Sequence, residues 1–208
     1  MHIPKIFQQD DPLLLQEIMV KYPFASLVTH SGDGVEVNHL PLYFYKSGGN
    51  AVLQGHIAKA NPLWKMLNEH LDVLVVFNGP NCYISPNFYP TKKDNGKAVP
   101  TWNYIAVHVR GEIKARFDEH FKLQMLNNLT FQQEQYQDKP WSIYDAPSEY
   151  INRLLPAIVG IEIQIKSMTG QWKVSQNQPE INKQGIISGL SKVQSDNSVE
   201  MATLVKNY

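Results

Sequence analysis

The chain has 208 residues, 43% of them hydrophobic and 18% charged, which is the composition of a folded globular protein and excludes a disordered or fibrous one. Lysine plus arginine and aspartate plus glutamate both total 19, so net charge gives no general attraction to DNA or anionic membrane, and a nucleic-acid role would need a local patch. The single Cys82 excludes an intramolecular disulfide and the cysteine-rich zinc patterns.

No apolar run approaches the ~20 residues of a membrane helix, and MHIPKIFQQDD lacks the charged-then-apolar pattern of a signal peptide, so the expected location is cytoplasmic with no membrane partner. The length predicts one domain over residues 1–208, with helical insertions near 118–137 and 148–155 and a helical tail.

Phe24 to His30 and Val35 to Tyr45 are β-rich runs joined by Ser31-Gly32-Asp33-Gly34, a hairpin signal. Lys46-Ser47-Gly48-Gly49-Asn50 is a second turn leading to a strand at Ala51 to Ile57, and three strands in succession suggest a meander. Asn61-Pro62 then starts a short helix, with Asn at the N-cap and Pro at the first helical position.

Asp72 to Asn78 is a continuous apolar run, as in a strand covered on both faces. Prolines at 80, 86, 90 and 100 make Pro80 to Pro100 a long shaped loop, and such loops are usually functional. From Trp102 alternation resumes, with Gly111 as a candidate bulge; Asp118 caps a helix to about Gln137; Ser148 to Leu155 is a short helix stopped by Pro156. Ala157 to Lys166 alternates as a half-buried strand, and weak helical patterns cover Pro179 to Leu190 and Ser195 to Asn207. Six or seven strands with antiparallel connections predict a mainly β (α+β) barrel with peripheral helices.

Two segments carry candidate chemistry. Gln54 to Pro62 places a strand end, Lys59 and a helix start together, a combination that favours phosphate, although Asn-Pro also caps helices for structural reasons alone. The segment from Asn78 to Gly111 gathers aromatic rings, hydroxyls and cations, which suits a flat anionic ligand, although its lysines are ordinarily solvated and its rings ordinarily core. His30, His39, His56 and His108 lack metal-ligand spacing, and no Walker loop, Gly-x-Gly-x-x-Gly or Gly-x-Ser-x-Gly occurs.

Taken together, MHIPKIF, VNHLPLYF, GHIAKANPLW, FNGPNCYISPNFYPTK, VPTWNYIAVHVRG and GIEIQIKSMTGQWKVSQN make the chain resemble the PaiB-like FMN-binding split-barrel proteins, named as FMN-binding negative transcriptional regulators. The resemblance implies a six-stranded antiparallel split β-barrel, a homodimer, and FMN near the subunit interface. It points to His56, Ala58, Lys59 and Asn61 for the phosphate, to Ser85, Tyr89, Thr101, Trp102 and Asn103 on the loop and following strand, and to Lys173, Ser175 and Gln176 late in the chain.

Two functions follow from that resemblance. One is a negative regulator of transcription, for which direct DNA contact is doubtful given the zero net charge and the lack of a helix-turn-helix. The other is an FMN-dependent oxidoreductase or flavin reductase, using a nicotinamide cofactor, for which no dedicated acid or base stands out. Haem binding through His39 or His56 is the third and least favoured reading.

Overall fold

The computed structural model describes residues 1–31, 34–47, 49–67 and 71–208, without the side chains of Ser31, Ser47 and Asn95. Gly32 and Asp33 of the first expected turn and Gly48 of the second lie outside the described residues.

In chain order the elements are β1 (Gln8–Gln9), α1 (Pro12–Lys21), β2 (Phe24–Ser31), β3 (Gly34–Pro41), β4 (Tyr43–Ser47), β5 (Asn50–Ala58) and β6 (Leu71–Ile84). These are followed by α2 (Lys92–Asn95), β7 (Thr101–Arg116), α3 (Glu119–Glu134), α4 (Ser148–Leu154), β8 (Ile158–Lys173), α5 (Glu180–Val193) and α6 (Asp196–Asn207). Among the described residues eight strands, rather than six, form one sheet in the order β3-β2-β6-β7-β8-β5-β4, with β1 paired to β8. The chain forms two compact units: Met1–Leu15, Asn78–Val107 and Thr169–Tyr208 in the first, Gln16–Phe77 and His108–Met168 in the second.

In the second unit the expected meander is replaced by two separate hairpins. β2 pairs β3 from Phe24↔Pro41 to Ser31↔Gly34, and β4 pairs β5 from Tyr43↔Gln54 to Ser47↔Asn50. The run from Val35 to Tyr45 breaks at Leu42, whose amide bonds the Pro23 carbonyl at 2.9 Å, so the chain changes partner there. Pro41 has no N–H to continue a ladder, which makes it a natural end for β3.

Helix α3 begins where Asp118 predicts, since its Oδ1 accepts the Phe121 amide at 2.8 Å. Its stripe of Phe121, Met125 and Leu129 is buried, with Tyr43 and Leu126 packed against it. Gly160 admits this helix: a Cβ there would lie 2.8 Å from the Phe121 ring and 2.9 Å from the Arg116 carbonyl. Gly111 is likewise a point of close approach, within a strand that runs unbroken through it, because a Cβ would meet the Gln164 carbonyl oxygen at 2.5 Å.

Glu162 ties three elements of this unit together. Its carboxylate accepts from Gln54 Nε2 at 3.0 Å, Lys114 Nζ at 2.9 Å and Arg116 Nη1 at 3.0 Å. Burial alone would raise its pKa, but the hydrogen bonds from Lys114 and Gln54 and the charges of Lys114 and Arg116 outweigh burial and hold it below the ordinary glutamate value. A carboxylate depressed in the folded state stabilises above the unfolded-state pKa, and that stabilisation drains away as pH falls through the folded value. Glu162→Gln therefore costs roughly 1–3 kcal/mol at pH 7, and chemical denaturation repeated from pH 7 down to pH 3 shows the gap to the parent narrowing. A gap that stays constant over that range contradicts this assignment.

In the first unit the expected loop from Pro80 to Pro100 is largely ordered by secondary structure. β6 continues through Pro80 to Ile84, Pro86–Phe88 forms a 3-10 turn, and α2 occupies part of the remainder. Pro80 lies past Val76, the last β6 residue in register with β2, where a missing N–H removes no rung on that side. β8 likewise extends beyond Lys166 to Lys173, and Gly170 and Gln171 pair with Gln9 and Gln8. Helices α5 and α6 match the expected spans, with Ser195 and Ser198 forming a reciprocal capping box on α6.

Candidate functional site

The sequence-derived site residues fall in both units: His56, Ala58, Lys59 and Asn61 in the second, the other eight in the first. Each group is built separately.

In the second unit β5 ends at Ala58, and Lys59 follows as an exposed side chain whose amide bonds the Ala157 carbonyl at 2.8 Å. Trp64 fixes this corner by donating its Nε1 proton to the Lys59 carbonyl at 2.8 Å while meeting Phe117 edge-on. Asn61 caps a 3-10 turn, Pro62–Met66, rather than an α-helix, and its Oδ1 accepts the Leu63 amide at 2.9 Å. The backbone donors that a helix start would offer a phosphate are thus largely engaged.

A donor that the sequence reading did not name takes their place. Asn61 Nδ2 donates to Asn38 Oδ1 at 2.7 Å, and Asn38 Nδ2 is buried without a hydrogen-bond partner. An unpaired buried amide donor is costly and calls for an acceptor. With the Lys59 ammonium close in sequence, the corner suits a phosphate, and this unsatisfied donor is the observation that makes the residues fit one.

The sequence signal for Asn38 is an inverted pattern on β3. Asn38 stands opposite the fully buried Leu27, while Val35 and Val37, on the other face, are 68% and 47% exposed. Glu36 and Asn38 on the inner face with Val35 and Val37 outside reverse the ordinary half-buried alternation, which the buried Leu40 and outward His39 then restore.

His56 belongs to a different surface. Tyr43, which packs on the α3 cluster, is in register with Gln54, so Gln54 and His56 share the face that α3 covers. The His56 Nδ1 atom is buried without a partner, and burial lowers the ring's pKa, which keeps it neutral near pH 7.

In the first unit, four expected residues come together and four do not. Tyr89, Thr101, Lys173 and Ser175 line one cavity of about 240 Å³, together with Phe7, Thr91, Lys97, Ala98, Val99, Asn177, Gln178 and Asn182. Ser85 instead caps the 3-10 turn, accepting the Asn87 amide at 3.2 Å. Trp102 is exposed and meets Tyr83 edge-on at 6.1 Å. Asn103 is buried in a reciprocal pair with Ser175, at 2.8 and 3.1 Å. Gln176 bonds the Val174 amide and the Trp172 and Ile6 carbonyls, which shapes the turn after β8. Of the eight additional lining residues, Phe7, Thr91, Val99 and Asn177 lie inside the quoted segments without having been singled out, and Lys97, Ala98, Gln178 and Asn182 lie outside them.

The fold is similar to two solved flavin-binding structures. The flavocytochrome Anf3 of Azotobacter vinelandii superposes with a TM-score of 0.54 at 16% identity, over 82% of this chain and 72% of that one. The FAD and heme binding protein of Mycobacterium smegmatis superposes with 0.54 at 13% identity, over 88% and 80%. These likenesses define the class of fold, a mainly antiparallel sheet of split-barrel type with peripheral helices.

Sequence narrows the class to a family. The family model described as "Putative FMN-binding domain" matches residues 1–167. The chain is 32% identical over 210 residues to Protease synthase and sporulation protein PAI 2 of Bacillus subtilis, covering 100% of this chain and 97% of that one. An uncharacterised protein of Emericella nidulans is 32% identical over 234 residues, covering 95% and 89%. The chain belongs to this PaiB-like FMN-binding-domain family.

Proposed function

We propose that this protein is an FMN-carrying homodimer acting as a negative regulator of transcription. The observation that carries the cofactor half is the corner at the end of β5, where an orphaned amide donor, Asn38 Nδ2, belongs to a side chain bonded to Asn61, two residues along the chain from Lys59. FMN needs its dianionic phosphate neutralised and hydrogen-bonded, and these groups match that need. When bound, the flavin would supply hydride or electron-transfer chemistry. The chain's own residues hold and orient the phosphate end.

The dimer is supported by the outer face of the β2-β3 hairpin. Phe24, Val28, Val35, Val37 and Pro41 share that face by register with Ser26, His30 and His39, Phe24 is 67% exposed, and Leu74 and Val76 of β6 extend it. Exposed apolar side chains grouped on a sheet face mark an interaction surface. The regulatory half rests on the name of the Bacillus subtilis relative, which ties a full-length homologue to protease synthesis and sporulation. Zero net charge favours action through flavin state or a protein partner over a direct grip on DNA.

Sedimentation of the FMN-loaded protein tests this reading. The expected result is a dimer carrying one FMN per chain, which Val37→Asp converts to a folded monomer by placing a charge on the apolar face. A parent protein that sediments as a monomer after FMN saturation contradicts it, while tight, sequence-selective DNA retardation at low salt would defeat the indirect route and leave a regulator that grips DNA itself.

A further inference from the structure

We infer that the cavity in the first unit is a binding site for a small organic carboxylate, built from other residues than the phosphate corner of the second unit. The charged side chains in its lining are all cationic. Lys97 and Lys173 are in its wall, and none of its lining residues is an aspartate or glutamate. Lys173 is held in place, since its Nζ donates to Thr101 Oγ1 at 2.5 Å, which fixes the ammonium at the wall before any ligand arrives.

The remaining polar lining consists of hydroxyl and amide groups: Thr91, Thr101, Ser175, Asn177, Gln178 and Asn182. Ser175 holds its position with a left-handed φ of 63°, rare for a non-glycine residue, stabilised by the buried pair with Asn103. Asn182, at the start of α5, accepts the Thr91 hydroxyl at 3.0 Å and so joins the loop to the helix. Strain of this kind persists where surrounding structure over-determines it, and it clusters at ligand sites.

Phe7, the Tyr89 ring, Ala98 and Val99 add apolar surface to the lining. A cavity whose lining combines cations with aromatic and aliphatic surface, and holds no anion, selects an amphipathic anion. Its volume of about 240 Å³ is below the ~300–1,000 Å³ of sites for drug-sized ligands, so it takes a small acid and not a whole FMN. Five of the polar lining residues, Lys173, Ser175, Asn177, Gln178 and Asn182, lie beyond residue 167, where the family match ends. The end of β8, the turn after it and the start of α5 therefore supply much of the polar lining, and residues within the family match supply the rest.

The test is ligand-observed NMR on the full chain, with and without saturating FMN, using benzoate as probe and benzyl alcohol and inorganic phosphate as controls. Benzoate is expected to bind in preference to both controls, unaffected by FMN. Its affinity falls about tenfold or more in Lys173→Gln, with loss of a charge-assisted hydrogen bond, and similarly in Ala98→Glu, which adds a like charge to the wall without altering Lys173. Lys59→Gln leaves it unchanged. Benzyl alcohol or phosphate binding as tightly as benzoate, unaltered benzoate affinity in folded Lys173→Gln and Ala98→Glu, or displacement of benzoate by FMN would each overturn the assignment. Failure of FMN to bind at all, with benzoate behaving as expected, removes the flavin reading and leaves this one standing.

Discussion

Replacing Gly185 with alanine is expected to lower the melting temperature by roughly 2–10 °C, although glycine-to-alanine changes inside helices ordinarily stabilise. Gly185 and Gly189 sit one turn apart on α5, where each costs the helix about 1 kcal/mol relative to alanine. The reason for their presence is the segment packed on them. A Cβ on Gly185 would overlap the backbone oxygen of Phe88 and lie 2.6 Å from Pro90 Cδ, and one on Gly189 would overlap the Phe88 ring. Backbone and a proline ring have little freedom to yield, so overpacking of about 1–3 kcal/mol exceeds the propensity gain. Because the same segment delivers the buried Tyr89 to the carboxylate pocket, both variants should also weaken binding there. Calorimetric melting decides the sign; a Gly185→Ala variant more stable than its parent would mean that α5 does not clamp the loop.

Lys59→Gln is the second change with a large expected effect, a loss of about tenfold in FMN affinity with little change in fold stability. The side chain is exposed and its carbonyl and amide, not its ammonium, hold the corner together through Trp64 and Ala157. Removing the charge should therefore leave the backbone in place. Charge-assisted hydrogen bonds are worth about 1.5–3 kcal/mol, and exposure reduces this toward the lower end. Screening gives a second signature, since the parent's advantage over the variant shrinks as salt rises from 50 to 300 mM. Flavin fluorescence titration reads both quantities. A salt-independent difference, or none, would place the phosphate elsewhere.

Much of the fold was legible because its signals are local. Asp118 and Ser195 announced their helices by capping, and the isoleucine alternation after Ala157 announced β8. What escaped depended on partners distant in sequence. Pro80 and the stretch from Ser167 to Gly170 look like strand ends, yet β6 and β8 continue because their neighbours in the sheet accommodate them. The exchange of partners at Leu42 has one local signal, Pro41, while the new partner of the following strand lies outside the run and is not written in it. Helix α1 had a usable signal that went unread: Asp11 before Pro12, with Asp11 Oδ1 accepting the Leu13 amide at 2.9 Å.

The site was legible by residue type and less so by role. Lys59 and Asn61 stand at the strand end that the sequence indicated, but Asn61 serves as cap and as partner to Asn38, whose own orphaned donor showed only in the inverted alternation of β3. Asn103 and Gln176 read as ligand donors and are engaged internally instead. Thr101, Lys173 and Ser175 converge on a pocket whose remaining walls come from segments far apart in the chain, which no motif could join.

The most direct test of the account is a side-by-side titration of the purified protein with FMN and riboflavin, which differ only in the phosphate. The account predicts FMN binding at least about tenfold tighter, the strength of a charge-assisted contact, with the preference largely lost in Lys59→Gln. Equal affinity for the two flavins, or a preference for FMN that survives intact in Lys59→Gln, would contradict it.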